Sequence, residues 1–135
     1  MSQENVEIVR RLHELLERRD WHGMTDLLDP SVELHGTVGG IGEGEVVARG
    51  LGQIRDVIEA EDAEIWDEHR WVPQEVIDAG DQVVVLQREY QRGKTSGVEL
   101  VIDTATILDL RDGRVVRMQG YVNPADALDA VELRE

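Results

Sequence analysis

His35 and Glu89 are the two residues whose chemistry best suits proton transfer in this chain. A histidine titrates near neutrality and can act as a general base, worth about 10² to 10⁴ in rate when correctly placed. His35 closes a short strand-like run over residues 31–35. Glu89 lies in a valine-rich run where Val83, Val85, Gln87, Glu89 and Gln91 share one face, opposite Val84, Leu86, Arg88, Tyr90 and Arg92. Two arginines prefer water, so the Gln87/Glu89 face turns inward. A carboxyl in a dry cavity has its pKa raised, or else finds a partner. The expectation is a His35–Glu89 couple that moves a proton on a ligand while Gln87 holds its carbonyl or hydroxyl. The bland alternative is a strand-end histidine bonded to a neighbour and a glutamate in solvent.

Such groups need a hollow in which to act, and residues 98–122 offer one. Val98, Leu100, Ile102, Thr104, Thr106, Leu108 and Leu110 form an uncharged strand face, with Glu99, Asp103 and Asp109 pointing the other way. Asp112-Gly113 then predicts a type I′ hairpin, because both central residues need positive φ. The return strand puts Val116, Met118, Gly120 and Val122 on one face. Two hydroxyls, a thioether and a glycine fill a tight core poorly but line a cavity well. Trp21 and Trp71, the latter sharing a face with His69, suit a flat apolar ligand. The ligand-binding candidates are therefore Trp21, Trp71, Gln87, Thr104, Thr106 and Met118. On the outer face Val101, Ala105 and Ile107 are more apolar than an exposed sheet should be, which predicts a second copy covering them in a two-fold dimer.

The elements that position these residues follow from periodicity. Val6, Val9, Leu12 and Leu16 recur at helical spacing, with Ser2 as a possible cap and Glu4 in the first turn. Asp20 caps a second helix over 21–28, stopped by Asp29-Pro30. Residues 36–52 hold seven glycines and read as a loop, followed by a helix with Ile54, Val57 and Ile58 on its buried side. A strand over 66–77 is interrupted near Pro73, which places it at an edge or a bulge. Strands over 82–92 and 98–122 and a closing helix over 125–133 complete one α+β domain spanning 1–135, with helices packed on an antiparallel meander.

Several functions are disfavoured. A net charge of -15 lacks the basic footprint that nucleic acid and anionic membranes require. There is no cysteine, hence no disulfide framework, thiol nucleophile or thiolate metal site. No apolar run reaches spanning length and the first residues lack a signal-peptide pattern, so a cytoplasmic protein is expected. Gly93-Lys94-Thr95 ends like a phosphate-binding loop, but Arg88 stands where its first glycine belongs. Gly40-Ile41-Gly42-Glu43-Gly44 misses the dinucleotide spacing. His13, His22, His35 and His69 form no metal pattern. No metal and no cofactor are expected.

The order of motifs resembles the SnoaL-like family of the nuclear-transport-factor-like, or ketosteroid isomerase-like, superfamily. The likeness is carried by Arg19-Asp20-Trp21, by Leu27 to Glu33, by Arg49-Gly50, by Asp78-Ala79-Gly80-Asp81, by Leu110 to Arg117, and by Gly120-Tyr121-Val122-Asn123-Pro124. It implies a cystatin-like cone: a curved antiparallel or mixed sheet wrapped around a pocket closed by N-terminal helices. Chemistry varies within the family. At the base, tyrosine and acid positions of ketosteroid isomerase, a pKa-tuning example, this chain carries His35, Leu12 and Thr106. At the positions of the limonene-type epoxide hydrolase trio it carries Gly120, Glu89 and Gln91. The aspartate that cyclases place on the last strand is again Gly120. The resemblance implies a cofactor-independent isomerase, cyclase or hydratase acting on a small apolar carbonyl or hydroxyl compound. It equally allows a non-catalytic dimeric module that holds a ligand or a partner protein.

Overall fold

The computed structural model describes residues 2–40 and 43–132. Helix α1 (Ser2–Glu17) buries Val6, Val9, Leu12 and Leu15 along one stripe. It ends in an unusual way: Arg19 takes a left-handed φ of 53° where glycine is the common choice. The backbone N–H of Arg19 donates to Leu16 O and that of Asp20 to Leu15 O, both at 2.9 Å, which satisfies carbonyls that the helix end leaves open. Asp20 then accepts from Gly23 N and caps α2 (Trp21–Met24). This helix is one turn, shorter than its pattern suggested, because the chain enters β1 (Leu28–Val38) four residues later.

Six strands form one sheet in the order β2-β1-β6-β5-β4-β3, where β2 is Val46–Arg49, β3 Trp66–Ala79, β4 Gln82–Gly93, β5 Glu99–Arg111 and β6 Arg114–Tyr121. All neighbours are antiparallel except β1 and β6, which are parallel. The sheet is therefore mixed, and the meander covers only β3 to β6. Strand β2 lies inside the glycine-rich stretch read as loop. Four residues are too few for a periodic signal, and only pairing with β1 makes them a strand. Ile41 and Gly42 lie outside the described residues. Strand β3 runs through Pro73 because it is the sheet edge and because its register slips between Pro73 and Glu75. Asp112 and Gly113 both have positive φ, 53° and 77°, as their hairpin demands.

Alternation along β4 divides the core in two. Val83 and Val85 join α1 and α3 (Gly50–Glu64) in the main core with Leu108, Leu110 and Val115. Val84 points the other way, into a second cluster with Ala105, Ile107 and Ala127. Ala127 belongs to α4 (Pro124–Glu132), which lies across the outer face of the sheet. Leu133, the expected last residue of this helix, lies outside the described residues. The apolar outer face thus has a cover within the same chain: Ala105 is 0 % and Ile107 6 % exposed, whereas Val101 remains 58 % exposed. The sequence pattern showed that something must cover this face. It did not distinguish the helix that follows β6 from a second copy. Among the described residues no helix is long and apolar enough to cross a membrane.

Replacing Ala127 with Glu would force a carboxylate against Val84 and Ile107. Unfolding in urea should show a loss of about 1–3 kcal/mol, the cost of burying an unsatisfied polar group. A variant as stable as the parent would show that α4 does not seal this face.

Candidate functional site

The inner face of the sheet and helices α1 and α3 enclose a cavity of about 460 Å³. Leu12 and Leu16 of α1, Ile54 and Ile58 of α3, Leu34 of β1 and Leu108 of β5 supply apolar wall. Among the sequence candidates, His35, Trp71, Gln87, Glu89, Thr104, Thr106 and Met118 line it. Trp21 does not: it is half-buried and packs against the main core, while Met24 is the α2 residue that reaches the cavity. Residues 34 to 37 all reach the cavity. A bulge in β1 between Leu34 and His35 breaks the strict alternation and permits this.

His35 and Glu89 each have another partner. His35 Nε2 lies 2.8 Å from Glu33 Oε1, two residues away on the same strand face. That hydrogen bond, opposed by burial and helped by Arg49 nearby, holds the Glu33 carboxyl below its ordinary value. Glu89 instead takes His69, whose Nε2 is 2.7 Å from Glu89 Oε1. The residues opposite each other across β3 and β4 are Trp71 with Glu89 and His69 with Gln91, so His69 and Glu89 meet on the diagonal. Trp66 and Trp71 flank the imidazole with ring centroids 5.2 and 3.9 Å away. Both sides of this pair are largely shielded from solvent, the His69 side chain 8 % and Glu89 13 % exposed.

Further donors converge on the same carboxylate. Thr104 Oγ donates to Glu89 Oε2 and Gln91 Nε2 donates to Oε1 at 3.3 Å. Burial on its own would push the Glu89 carboxyl up. The bonds from His69, Thr104 and Gln91, with the charge His69 can carry, outweigh it and hold the group below its ordinary value. The raised pKa expected for a lone buried glutamate is thereby reversed. Behind Thr104 stands Gln87, only 4 % exposed, whose Nε2 donates to Thr104 Oγ at 3.1 Å and Thr106 Oγ at 3.0 Å. His13 also lines the cavity, its Nδ1 3.1 Å from Val9 O. Burial lowers its pKa against the opposing pull of Val9 O and the nearby Gln87 amide. Glu61 on α3 behaves in the opposite sense to Glu89: burial raises it, His69 pulls it back, and Asp62 and Glu89 raise it further.

His69, His13, Glu33 and Glu61 were not among the candidates. His69 carried a legible signal, since it shares a strand face with Trp71. What was missing was the register that sets β3 against β4. Among the described residues no cluster of histidines and acids can hold a metal ion. Gly120 on β6 is crowded: a Cβ there would sit 3.0 Å from Thr37 Oγ1, so a side chain at this position requires Thr37 to shift.

A mixed curved sheet closed by helices around a cavity defines a nuclear-transport-factor-like, ketosteroid isomerase-like architecture. Residues 9–118 match the model of the SnoaL-like domain, and the chain belongs to that family. Solved structures agree on the fold. A nuclear-transport-factor-like protein of unknown function from Burkholderia pseudomallei K96243 is 24% identical with a TM-score of 0.76, over 95% of this chain and 97% of its own. TerC, co-crystallised with polyporic acid, is 22% identical with a TM-score of 0.74, over 96% and 98%. A putative SnoaL-like polyketide cyclase from Jannaschia sp. CCS1 is 21% identical with a TM-score of 0.74, over 96% and 92%. Among curated proteins none matches the chain.

The two carboxyls give opposite pH signatures. Glu89, held low in the folded state, contributes stability that is present above its unfolded pKa of about 4.3 and is lost as pH falls through the lower folded value. Glu89→Gln should therefore cost about 1–3 kcal/mol at neutral pH and progressively less in acid below about pH 4.3. Glu61, held high, contributes stability present below its unfolded pKa and lost as pH rises through the folded one. Glu61→Gln should raise Tm at pH 7, and the gain should vanish below about pH 4.3. Melting curves of both variants across pH measure each slope. A shared sign would overturn the assignment.

Proposed function

We propose that the cavity binds a small, largely apolar molecule bearing a carbonyl or hydroxyl group and moves a proton on it without a cofactor. The reaction class is isomerisation, cyclisation or hydration. The observation that carries this reading is a pair of histidines, each oriented by a carboxylate, in the walls of one mostly apolar cavity. A carboxylate oxygen can only accept, so the Nε2 facing it carries the hydrogen and Nδ1 keeps the lone pair. In this scheme His35 is the general base, with Glu33 as its positioning residue. Glu89, saturated with donors, is a poor base and positions His69. Trp71 and Met118 supply apolar contact, and Gln87, Thr104 and Thr106 form the polar wall.

A binding-module reading has its own support. The resemblance sets Leu12 and Thr106 at the tyrosine and acid positions of the isomerase, and Thr37 crowds any side chain at Gly120. Under this reading the same cavity holds the molecule without turnover. Assembly as a two-fold dimer also belongs to the proposal. With α4 over Ala105 and Ile107, the surface left for a second copy is the end of the sheet around β5, where Val98, Leu100 and Val101 are each about half exposed. Sedimentation as a 15.2 kDa species at micromolar concentration would remove the dimer.

Acetylnaphthalene in deuterated water separates the two readings. If the protein is an enzyme, exchange of the hydrogens next to the carbonyl, followed by NMR, exceeds the buffer rate. His35→Gln then slows it by about 10² or more with binding retained. Binding without exchange supports the module. Absence of binding by any apolar ring compound overturns both.

A further inference from the structure

The hydrogen bonds around Glu89 have a direction, and it propagates. The carboxylate takes a hydrogen from Thr104, so the Thr104 oxygen is left to accept from the Gln87 amide nitrogen. That nitrogen also donates to Thr106 Oγ, which uses both of its hydrogens and turns the amide oxygen away. Gln87 Oε1 is then a buried acceptor with no hydrogen-bond partner among the described residues; His13 stands near the same amide, and burial disfavours the protonated form that would donate to it. His69 Nδ1 and His35 Nδ1 are buried and unpartnered in the same way. With their Nε2 hydrogens directed at Glu89 and Glu33, both are acceptors as well. Three strands, β1, β3 and β4, thus each bring one unsatisfied acceptor to the wall of a single cavity. Buried polar atoms of this kind cost free energy until something donates to them.

We infer that this site recognises an uncharged, hydroxyl-bearing ring compound, a phenol or alcohol, through O–H groups that the ligand donates to Gln87 Oε1, His69 Nδ1 and His35 Nδ1. The inference rests on the small-molecule reading above and narrows it. A ligand offering only a carbonyl or ether would set acceptor against acceptor. An anion would also face the Glu61 and Glu89 carboxylates in the same cavity. A neutral imidazole keeps its Nδ1 as an acceptor, and a bound hydroxyl satisfies it by donating a hydrogen bond while staying uncharged.

Naphthol, methoxynaphthalene, acetylnaphthalene and naphthoate share one apolar body and differ in what they donate or carry. Titration of the full chain, followed by tryptophan fluorescence and NMR, should give naphthol the tightest binding by about tenfold over the ether and the ketone, with naphthoate weakest. Thr104→Val frees the Gln87 amide to turn its nitrogen toward the ligand. The preference for naphthol over acetylnaphthalene should then shrink several-fold in a protein that still melts cooperatively. Equal binding of naphthol, ether and ketone would overturn the inference while leaving the small-molecule reading in place. So would an unchanged preference in Thr104→Val. If none of the four binds, the small-molecule reading itself fails and this inference falls with it.

Discussion

A carboxylate that stays ionised inside a sheet must be surrounded by donors, and Glu89 imposes that demand on everything near it. His69 across β3, Gln91 along β4 and Thr104 across β5 all answer to the same two oxygens. The energetic reason is the high cost of an unpaired buried charge, against which three or four hydrogen bonds are a modest structural requirement. Because each donor has a second end, the constraint spreads outward. Thr104 commits Gln87, and Gln87 commits Thr106. A single ionised group thus sets the polarity of much of the polar wall.

The fold supplies the rigidity that such a network needs. Arg19 is central to this support. Its guanidinium binds Asp62 of α3 through two nitrogens, donates to His69 O and to Leu16 O, and lies 5.4 Å from the Trp71 ring centre. One side chain ties α1, α3 and β3 together behind the His69 imidazole. The left-handed backbone at Arg19 normally suits glycine. The clamp it makes is a physical reason for a bulky residue to hold that conformation, since glycine would relieve the strain and lose the bracing.

Much of the architecture was legible in the residues. The period of α1, the alternation of β4 and β5, the Asp112-Gly113 turn and the proline in an edge strand are local signals, and local physics decides them. The inward face of β4 could be read as well, because arginines at 88 and 92 have nowhere to go but water. Partners across strands were less accessible. His69 meets Glu89 only because β3 and β4 pair in one register, and no property of either segment alone specifies it. The bonding of His35 to Glu33 was within local reach, since they lie two apart on one strand. A histidine bonded to a neighbour was one of the two readings the segment allowed, and the bond to Glu33 realises it. Trp21 lies outside the cavity lining and packs against the main core, a placement that depends on tertiary contacts.

The contact between Gly120 and Thr37 carries an implication for how this scaffold can change. Thr37 occupies the space that any side chain at 120 would enter, so the two positions are not independent. An acid introduced on β6 meets the Thr37 hydroxyl first, so that side chain must give way for the newcomer to fit. The freedom of one threonine on β1 thus governs what the last strand can carry.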